Sequence, residues 1–285
     1  MRICWFDDDR LGVVVGTEVC DVSAALRVLP PARYPGPKGD TLIAHLASVR
    51  AEIERVLPQA ARKPLAQARL LSPVAHPSKV IGVPVNYLKH VEEAAADKAT
   101  FTDRYRGGIE EQGLFLKATS ALVGCSEGIA VRFPDRRTDH EMELGVVIGK
   151  AASNVPVSQA LSHVAGYAIA LDMVVRGPED RSMRKSIDSY AVLGPWLVTA
   201  DEVAQPQDLA FRLSVNGELR QQSNTKFMIM DIARQIAWAS SFYTLLPGDI
   251  VMTGTCEGVA QVRPGDLMHC EIDGIGAMDV AVRAA

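Results

Sequence analysis

Two glutamates at alternate positions are the first candidates for chemistry. In His140-Glu141-Met142-Glu143-Leu144-Gly145-Val146-Val147-Ile148-Gly149 an apolar run follows the pair. Residues two apart on a strand face the same side, so Glu141 and Glu143 project together, with Met142 opposite. Burying two carboxylates side by side is costly unless something compensates, and a divalent cation would. An exposed strand end with two solvated glutamates fits the same pattern. Asp172 adds a third carboxylate, inside the apolar run Gly166–Val175. Its alternative is a strand-end aspartate satisfied by backbone N–H groups. Three carboxylates without a cysteine form a hard oxygen site, which selects Mg²⁺, Mn²⁺ or Ca²⁺ over zinc.

A second constellation lies upstream. A strand-like run, Val80–Val85, gives way to Asn86-Tyr87-Leu88-Lys89-His90-Val91-Glu92-Glu93. A helical turn there puts His90 and Glu93, three apart, on one face. Glu93 then orients the imidazole and raises its basicity, making His90 a general base for water. A surface i,i+3 pair has the same spacing. Lys117, in Leu114-Phe115-Leu116-Lys117, and Lys185, before Ser186-Ile187-Asp188, also sit near apolar neighbours. Lysine near an oxyanion stabilises developing charge, and a snorkelling surface lysine reads the same way.

The elements that must position these groups are mainly strands. Val80–Val85, Leu144–Ile148, Ala165–Val175, Trp196–Val198 and Ile250–Thr253 resemble buried strands. Asn216-Gly217 and Asp273-Gly274 carry the hairpin signature. A helix is expected from Asp231 to about Leu245, its apolar face Ile232, Ile236, Ala239, Tyr243 and Leu246. The first segment opens on strands at Arg2–Phe6 and Leu11–Val15. Asp40 then caps one helix carrying Leu42, Leu46, Val49, Ile53 and Val56, ended by Pro58. Arg62–Ser78 holds three prolines and reads as a connector, which suggests a small N-terminal domain at 1–71 and a larger one at 72–285.

The chain has 285 residues, 48% hydrophobic and 22% charged, enough to bury a sizeable core and too apolar for low-complexity disorder. A net charge of −4 argues against a nucleic-acid partner. No apolar run approaches the roughly 18 residues of a membrane helix, and three aspartates stand where a signal peptide would be apolar. A cytoplasmic protein is expected, with no membrane partner. Five dispersed cysteines without a CxxC speak against a disulfide framework.

Taken in order, the segments resemble the fumarylacetoacetate hydrolase family. The matching pieces are Asn86-Tyr87…His90…Glu93, Phe115-Leu116-Lys117, Glu141-Met142-Glu143, Gly166-Tyr167, Asp172…Arg176 and Lys185-Ser186…Asp188. They continue with Gly194-Pro195-Trp196, Asn216-Gly217, Pro247-Gly248-Asp249 and Thr253-Gly254-Thr255…Gly258-Val259. The resemblance covers roughly residues 78–283. It implies an α+β, mainly β fold: a mixed β-roll catalytic domain after a small N-terminal α/β domain, usually dimeric. It implies Mg²⁺ or Mn²⁺ held by Glu141, Glu143 and Asp172, a His90–Glu93 dyad activating water, and Lys185 polarising the substrate. Arg176 and Thr255 match positions that contact substrate; Lys117 and Glu179 join the substrate-binding candidates. The implied activity is hydrolysis of a C–C bond in an acylpyruvate-like 2,4-dioxo acid. An isomerase or decarboxylase of a related 2-oxo or 2-hydroxydienoate acid in aromatic catabolism is the alternative, and a metal-binding member without catalysis a third.

The sequence departs from the family pattern near the expected substrate pocket. Leu171 replaces a frequent Asn, Glu179 a common Gln, Cys256 a Pro and Ala260 a Gly. Glu179 would disfavour a second substrate carboxylate or pair with Arg176. A buried, inert thiol is expected at Cys256. The charged, Gly-bearing segment Ala94–Gly113 is a candidate lid over His90 and Glu93, with an ordinary surface excursion as its alternative.

Overall fold

Strand pairing across long sequence distances builds the site. A computed structural model describes residues 1–97 and 108–285. Residues 98–107, the middle of the candidate lid, lie outside the described residues. The chain is a mixed α+β, strand-rich fold. Among the described residues, one 12-stranded sheet dominates, with a 5-stranded and a 3-stranded sheet beside it. Val164–Asp172 lies near the middle of the large sheet, antiparallel to both Met142–Ile148 and Ala191–Thr199. All three are buried along almost their whole length, which accounts for near-continuous apolar runs in place of strict alternation. Antiparallel pairing sets the start of Met142–Ile148 against the end of Val164–Asp172, with Met142 opposite Leu171. The carboxylates of both segments therefore meet at one sheet end, where the Asp172 amide donates to the Glu141 carbonyl at 2.8 Å.

Two further strands bring in the remaining site residues. Ile250–Met252 pairs with Met142–Ile148 and delivers Thr253-Gly254-Thr255 to the same end. Val80–Gly82 runs parallel to Ile250–Met252, and Phe115–Lys117 pairs antiparallel with Val80–Gly82. On the opposite side Arg2–Phe6 pairs with Ala191–Thr199, so the N-terminal strands extend the same sheet.

Both hairpins form. Asn216 and Gly217 both take positive φ, 52° and 81°, as a tight two-residue turn requires. Asp231 caps the helix Ile232–Phe242 by accepting from the Arg234 amide at 2.8 Å. That helix stops at Phe242; Tyr243 is extended, so the expected apolar face ends at Ala239.

Two expectations need correction. The helix capped by Asp40 is not continuous: it forms Thr41–Ala44, breaks at His45 and resumes as Leu46–Val56. Asp40 explains the break, because its carboxylate ties Ile43, Ala75 and His76 amides together and fixes the first turn separately. The connector Arg62–Ser78 contains two short strands: Arg62–Pro64, which takes a sheet edge despite its proline, and Leu70–Leu71, which pairs with the end of Arg2–Phe6. No described helix is long and apolar enough to cross a membrane. All five cysteines are free and buried.

Candidate active site

The three carboxylates converge. Ligand oxygens of Glu141, Glu143 and Asp172 all lie within 4.8 Å of one another, and all three residues are buried. Two ammonium groups enter the cluster. Lys185 Nζ donates to Glu141 Oε2 and Asp172 Oδ2, each at 2.5 Å. Lys117 Nζ donates to the other oxygen of Asp172. Neither lysine snorkels to solvent: both are at least nine-tenths buried.

Charge divides the carboxylates into two kinds. Burial pushes Glu141 up, but Lys185 and then Arg176 overcome it and hold its carboxyl at about 2. Glu143 is pushed well above the usual range by burial and by the adjacent Asp172. Its Oε2 accepts from the Gly254 amide at 2.8 Å. Burial lowers Lys117 against the pull of Asp172, whereas Lys185, also opposed by burial, is raised by Asp172 and Glu141.

Does this cluster fit a divalent cation? Each carboxylate offers about four acceptor directions across its two oxygens, so the cations on both oxygens of Asp172 and of Glu141 still leave lone pairs for an ion. All donors are hard oxygens, as Mg²⁺ or Mn²⁺ require. Glu143 sits where more positive charge is needed. The residues present therefore fit the ion.

The His90–Glu93 pair forms, the first of the two readings its spacing left open. His90 and Glu93 lie on the helix Leu88–Ala96, with His90 Nδ1 2.9 Å from Glu93 Oε2. The other Glu93 oxygen accepts from the Gly258 amide at 2.9 Å. Gly258 reaches it with φ +90°, and a Cβ there would lie 2.0 Å from the Arg220 carbonyl oxygen, so no other residue fits that turn unchanged. Val83, His90, Phe115, the three carboxylates, Arg176, Lys185 and Thr255 line one cleft, so base and acid cluster face the same space.

The remaining candidates divide. Arg176 joins the site: its Nε donates to Asp139 Oδ2 at 2.8 Å and its Nη2 to Glu141 Oε1 at 3.3 Å. Thr255 donates to the Met142 carbonyl and accepts from Gln221, both at 2.8 Å. Lys117 lies beneath Asp172 and is not part of the cleft lining. Glu179 is not brought in. It pairs with Arg136 through both oxygens, at 2.7 and 3.0 Å, rather than with Arg176. Bidentate guanidinium–carboxylate geometry holds it there. The Cys256 thiol is buried and pushed up to about 12 by burial and Glu257, as expected of an inert thiol.

Asp139 and Gln221 escaped the sequence reading, and Asn86 entered it only as a matching motif piece without a role. Asp139 is fully buried and accepts from Arg137 and Arg176. It stands two residues before Glu141, so the alternation that marked Glu141 and Glu143 extends to it. Gln221 accepts from the Met142 amide and holds Thr255; a glutamine on a polar hairpin gives no such signal. Asn86 donates to the Met230 and Thr253 carbonyls and accepts from the Met230 amide. It follows Val85, held at φ +44°, a strained backbone of the kind found at functional sites.

Known proteins resemble the chain over its full length. The fumarylacetoacetate (FAA) hydrolase C-terminal model matches residues 79–283. The maleylpyruvate hydrolase of Aquipseudomonas alcaligenes is 52% identical over 290 residues, covering 100% of each chain. The crystal structure of maleylpyruvate hydrolase from Sphingobium sp. SYK-6, in complex with manganese(II) ion and pyruvate, matches with a TM-score of 0.85. It is 42% identical over 100% of both chains. An oxaloacetate tautomerase of Xenopus laevis mitochondria is 36% identical over 222 residues, 73% of this chain and 66% of its own.

Proposed function

Because the chain belongs to the fumarylacetoacetate hydrolase family, we propose that it hydrolyses a C–C bond in an acylpyruvate such as maleylpyruvate. The observation that carries this reading is one cleft holding both a three-carboxylate cluster and an oriented histidine. The 52% full-length identity to a maleylpyruvate hydrolase supports it. Glu141, Glu143 and Asp172 would hold Mg²⁺ or Mn²⁺, and the manganese in the Sphingobium enzyme supports that choice. When bound, the cation supplies Lewis acidity toward the 2-oxo acid end of the substrate.

The chain's own groups do the rest. Glu93 holds His90 through Nδ1 and steadies the charge the ring acquires. His90 Nε2 takes a proton from water, whose oxygen attacks the distal carbonyl. The C–C bond breaks, the electron pair leaves with the pyruvate fragment, and that fragment takes up one proton. The products are pyruvate and a free acid. Lys185, fixed beside Glu141 and Asp172, offers positive charge to the developing oxyanion. Arg176 and Thr255 contact the substrate, Arg176 in the position Asp139 gives it. Lys117 offsets the charge of Asp172.

A tautomerase relative runs a different reaction on the same family scaffold, so product identity is the test. Metal-stripped protein is refilled with Mn²⁺ and incubated with acylpyruvates and oxaloacetate, and products are weighed by mass spectrometry. Metal-dependent pyruvate plus a free acid is expected. Product of unchanged mass, or loss of CO₂ alone, would move the protein to isomerase or decarboxylase. The homodimer belongs to the same proposal, and light scattering checks it.

A further inference from the structure

We infer that Arg181 receives a second, distal carboxylate of the substrate, so the site is matched to 2,4-dioxo acids carrying an acid group at each end. This rests on the hydrolase reading above. The short helix Arg181–Lys185 supplies the geometry. Residues four apart share a helix face, about one 5.4 Å turn from each other. Lys185 points into the acid cluster, and Arg181, one turn earlier, lines the same cleft. A substrate anchored by its 2-oxo acid at the cluster extends along this face.

The helix is rigidly mounted. Asp180 caps it by accepting from the Ser182 amide at 3.0 Å. Arg184 donates from Nε to the Glu179 carbonyl and from Nη1 to the Val175 carbonyl, tying the turn to the adjacent strand. Phe115 stands between the two cations, its ring centroid 5.2 Å from Lys185 Nζ and 5.3 Å from Arg181 Cζ. Phe115 is itself fixed against Gly82, where a Cβ would lie 2.0 Å from the ring. Arg181 Nη2 donates to Gln112 Oε1 at 2.5 Å. The guanidinium is thus steadied by a ring and latched by an amide, with little freedom to lose on binding. Its planar fork matches a carboxylate bidentately.

The other cleft arginines serve differently. Arg176 is engaged with Asp139 and Glu141, and Arg184 with backbone carbonyls. Arg181 lines the cleft with its guanidinium over Phe115 and its Nη2 on Gln112, one helical turn from Lys185.

The test compares 2-oxoadipate with 2-oxohexanoate, equal in chain length and differing in the distal carboxylate. Calorimetric titration into the Mn²⁺-loaded full chain gives both affinities for the native protein, Arg181→Met and Arg181→Lys. The native protein should prefer the diacid by about 10- to 100-fold, the scale of one charge-assisted hydrogen-bonded pair. Arg181→Met should abolish that preference with monoacid affinity changed less than about 2-fold, a split that lost folding cannot produce. Arg181→Lys should keep part of it. No preference in the native protein, or equal losses for both ligands in Arg181→Met, would overturn the assignment. Hydrolysis of acetylpyruvate, which has no distal acid, is assayed separately. Its failure, together with failure on a diacid acylpyruvate, overturns the hydrolase reading, while the binding split still decides Arg181.

Discussion

Glu93→Gln isolates the dyad from the metal site. Glu93 makes two contacts, Oε2 to His90 Nδ1 and Oε1 to the Gly258 amide, each 2.9 Å. The amide has one oxygen, and the Gly258 N–H requires it. The NH₂ group therefore faces His90 Nδ1 and forces it to accept. The ring proton moves to Nε2, the nitrogen that should take a proton from water. The carboxylate's attraction for the imidazolium is lost as well. A unit pair 4 Å apart at an effective dielectric of 20 is worth about 4 kcal/mol. Glu93 is 29% exposed, so screening reduces this to about 2 kcal/mol, or roughly 30-fold at 1.36 kcal/mol per decade. Loss of the general base adds to it, and kcat should fall by about 10²- to 10⁴-fold. Neither residue belongs to the carboxylate cluster, so KM, Mn²⁺ affinity and melting temperature should stay near native. Pyruvate release, Mn²⁺ titration and thermal melting read all three. A kcat within threefold of native, or a parallel loss of Mn²⁺ affinity, would refute the argument.

Three other changes probe different layers. Glu143→Gln removes a buried carboxylate that Asp172 repels, so without metal the variant should melt at or above the native temperature. It should also lose the gain that Mn²⁺ gives the native protein, about 2.7 kcal/mol at 100 times Kd; an equal gain in both would contradict the ligand assignment. Asp139→Asn weakens two charged hydrogen bonds, to Arg137 and Arg176. With Arg137 37% exposed, about 2–3 kcal/mol of stability should be lost in urea titration, and KM should rise; unchanged KM would show that Asp139 does not position Arg176. Hydrogen bonds from Arg50 hold the Asp201 carboxyl down at about 2. A depressed carboxylate stabilises the fold above its unfolded pKa near ~3.9, and that stability fades as pH falls through about 2. Asp201 is exposed and Arg50 partly so, so less than about 1 kcal/mol is involved. The melting difference between native and Arg50→Met should shrink from pH 4 to pH 2; a constant difference would refute the linkage.

The site was more legible in the sequence than its supports. Glu141, Glu143 and Asp172 stand out because carboxylates in apolar runs conflict with burial, and a conflict is visible locally. Helical spacing allowed a His90–Glu93 dyad but fitted a surface pair equally, and only the ordered set of family motifs favoured the dyad. Gln221 and Asn86 conflict with nothing nearby. Their partners lie far along the chain, Asn86 to Met230 and Gln221 to Met142, and no periodicity encodes such pairs. The break at His45 is hidden for the same reason, since Asp40 reaches both its own helix and the Ala75-His76 backbone. Glu179 shows the converse. Its position in the motif suggested the cleft, but Arg136 offered a better-matched partner.

The site therefore has a fixed centre and an adaptable rim. The metal-binding carboxylates stand at the end of buried central strands or next to it, where a shift would disturb several layers of packing. His90, Glu93, Arg181 and Gln112 stand on short rim helices joined to that centre by a few hydrogen bonds. Changes at the rim cost the core little, and under the proposed mechanism they bear on water activation and on the substrate tail. Such a division is compatible with a family whose members include a maleylpyruvate hydrolase and an oxaloacetate tautomerase. It also predicts where specificity should move first under substitution: Arg181 and its Phe115–Gln112 support should change the preferred tail with Mn²⁺ affinity unchanged. A variant at Arg181 that altered Mn²⁺ affinity as strongly as diacid affinity would show that centre and rim are not separable.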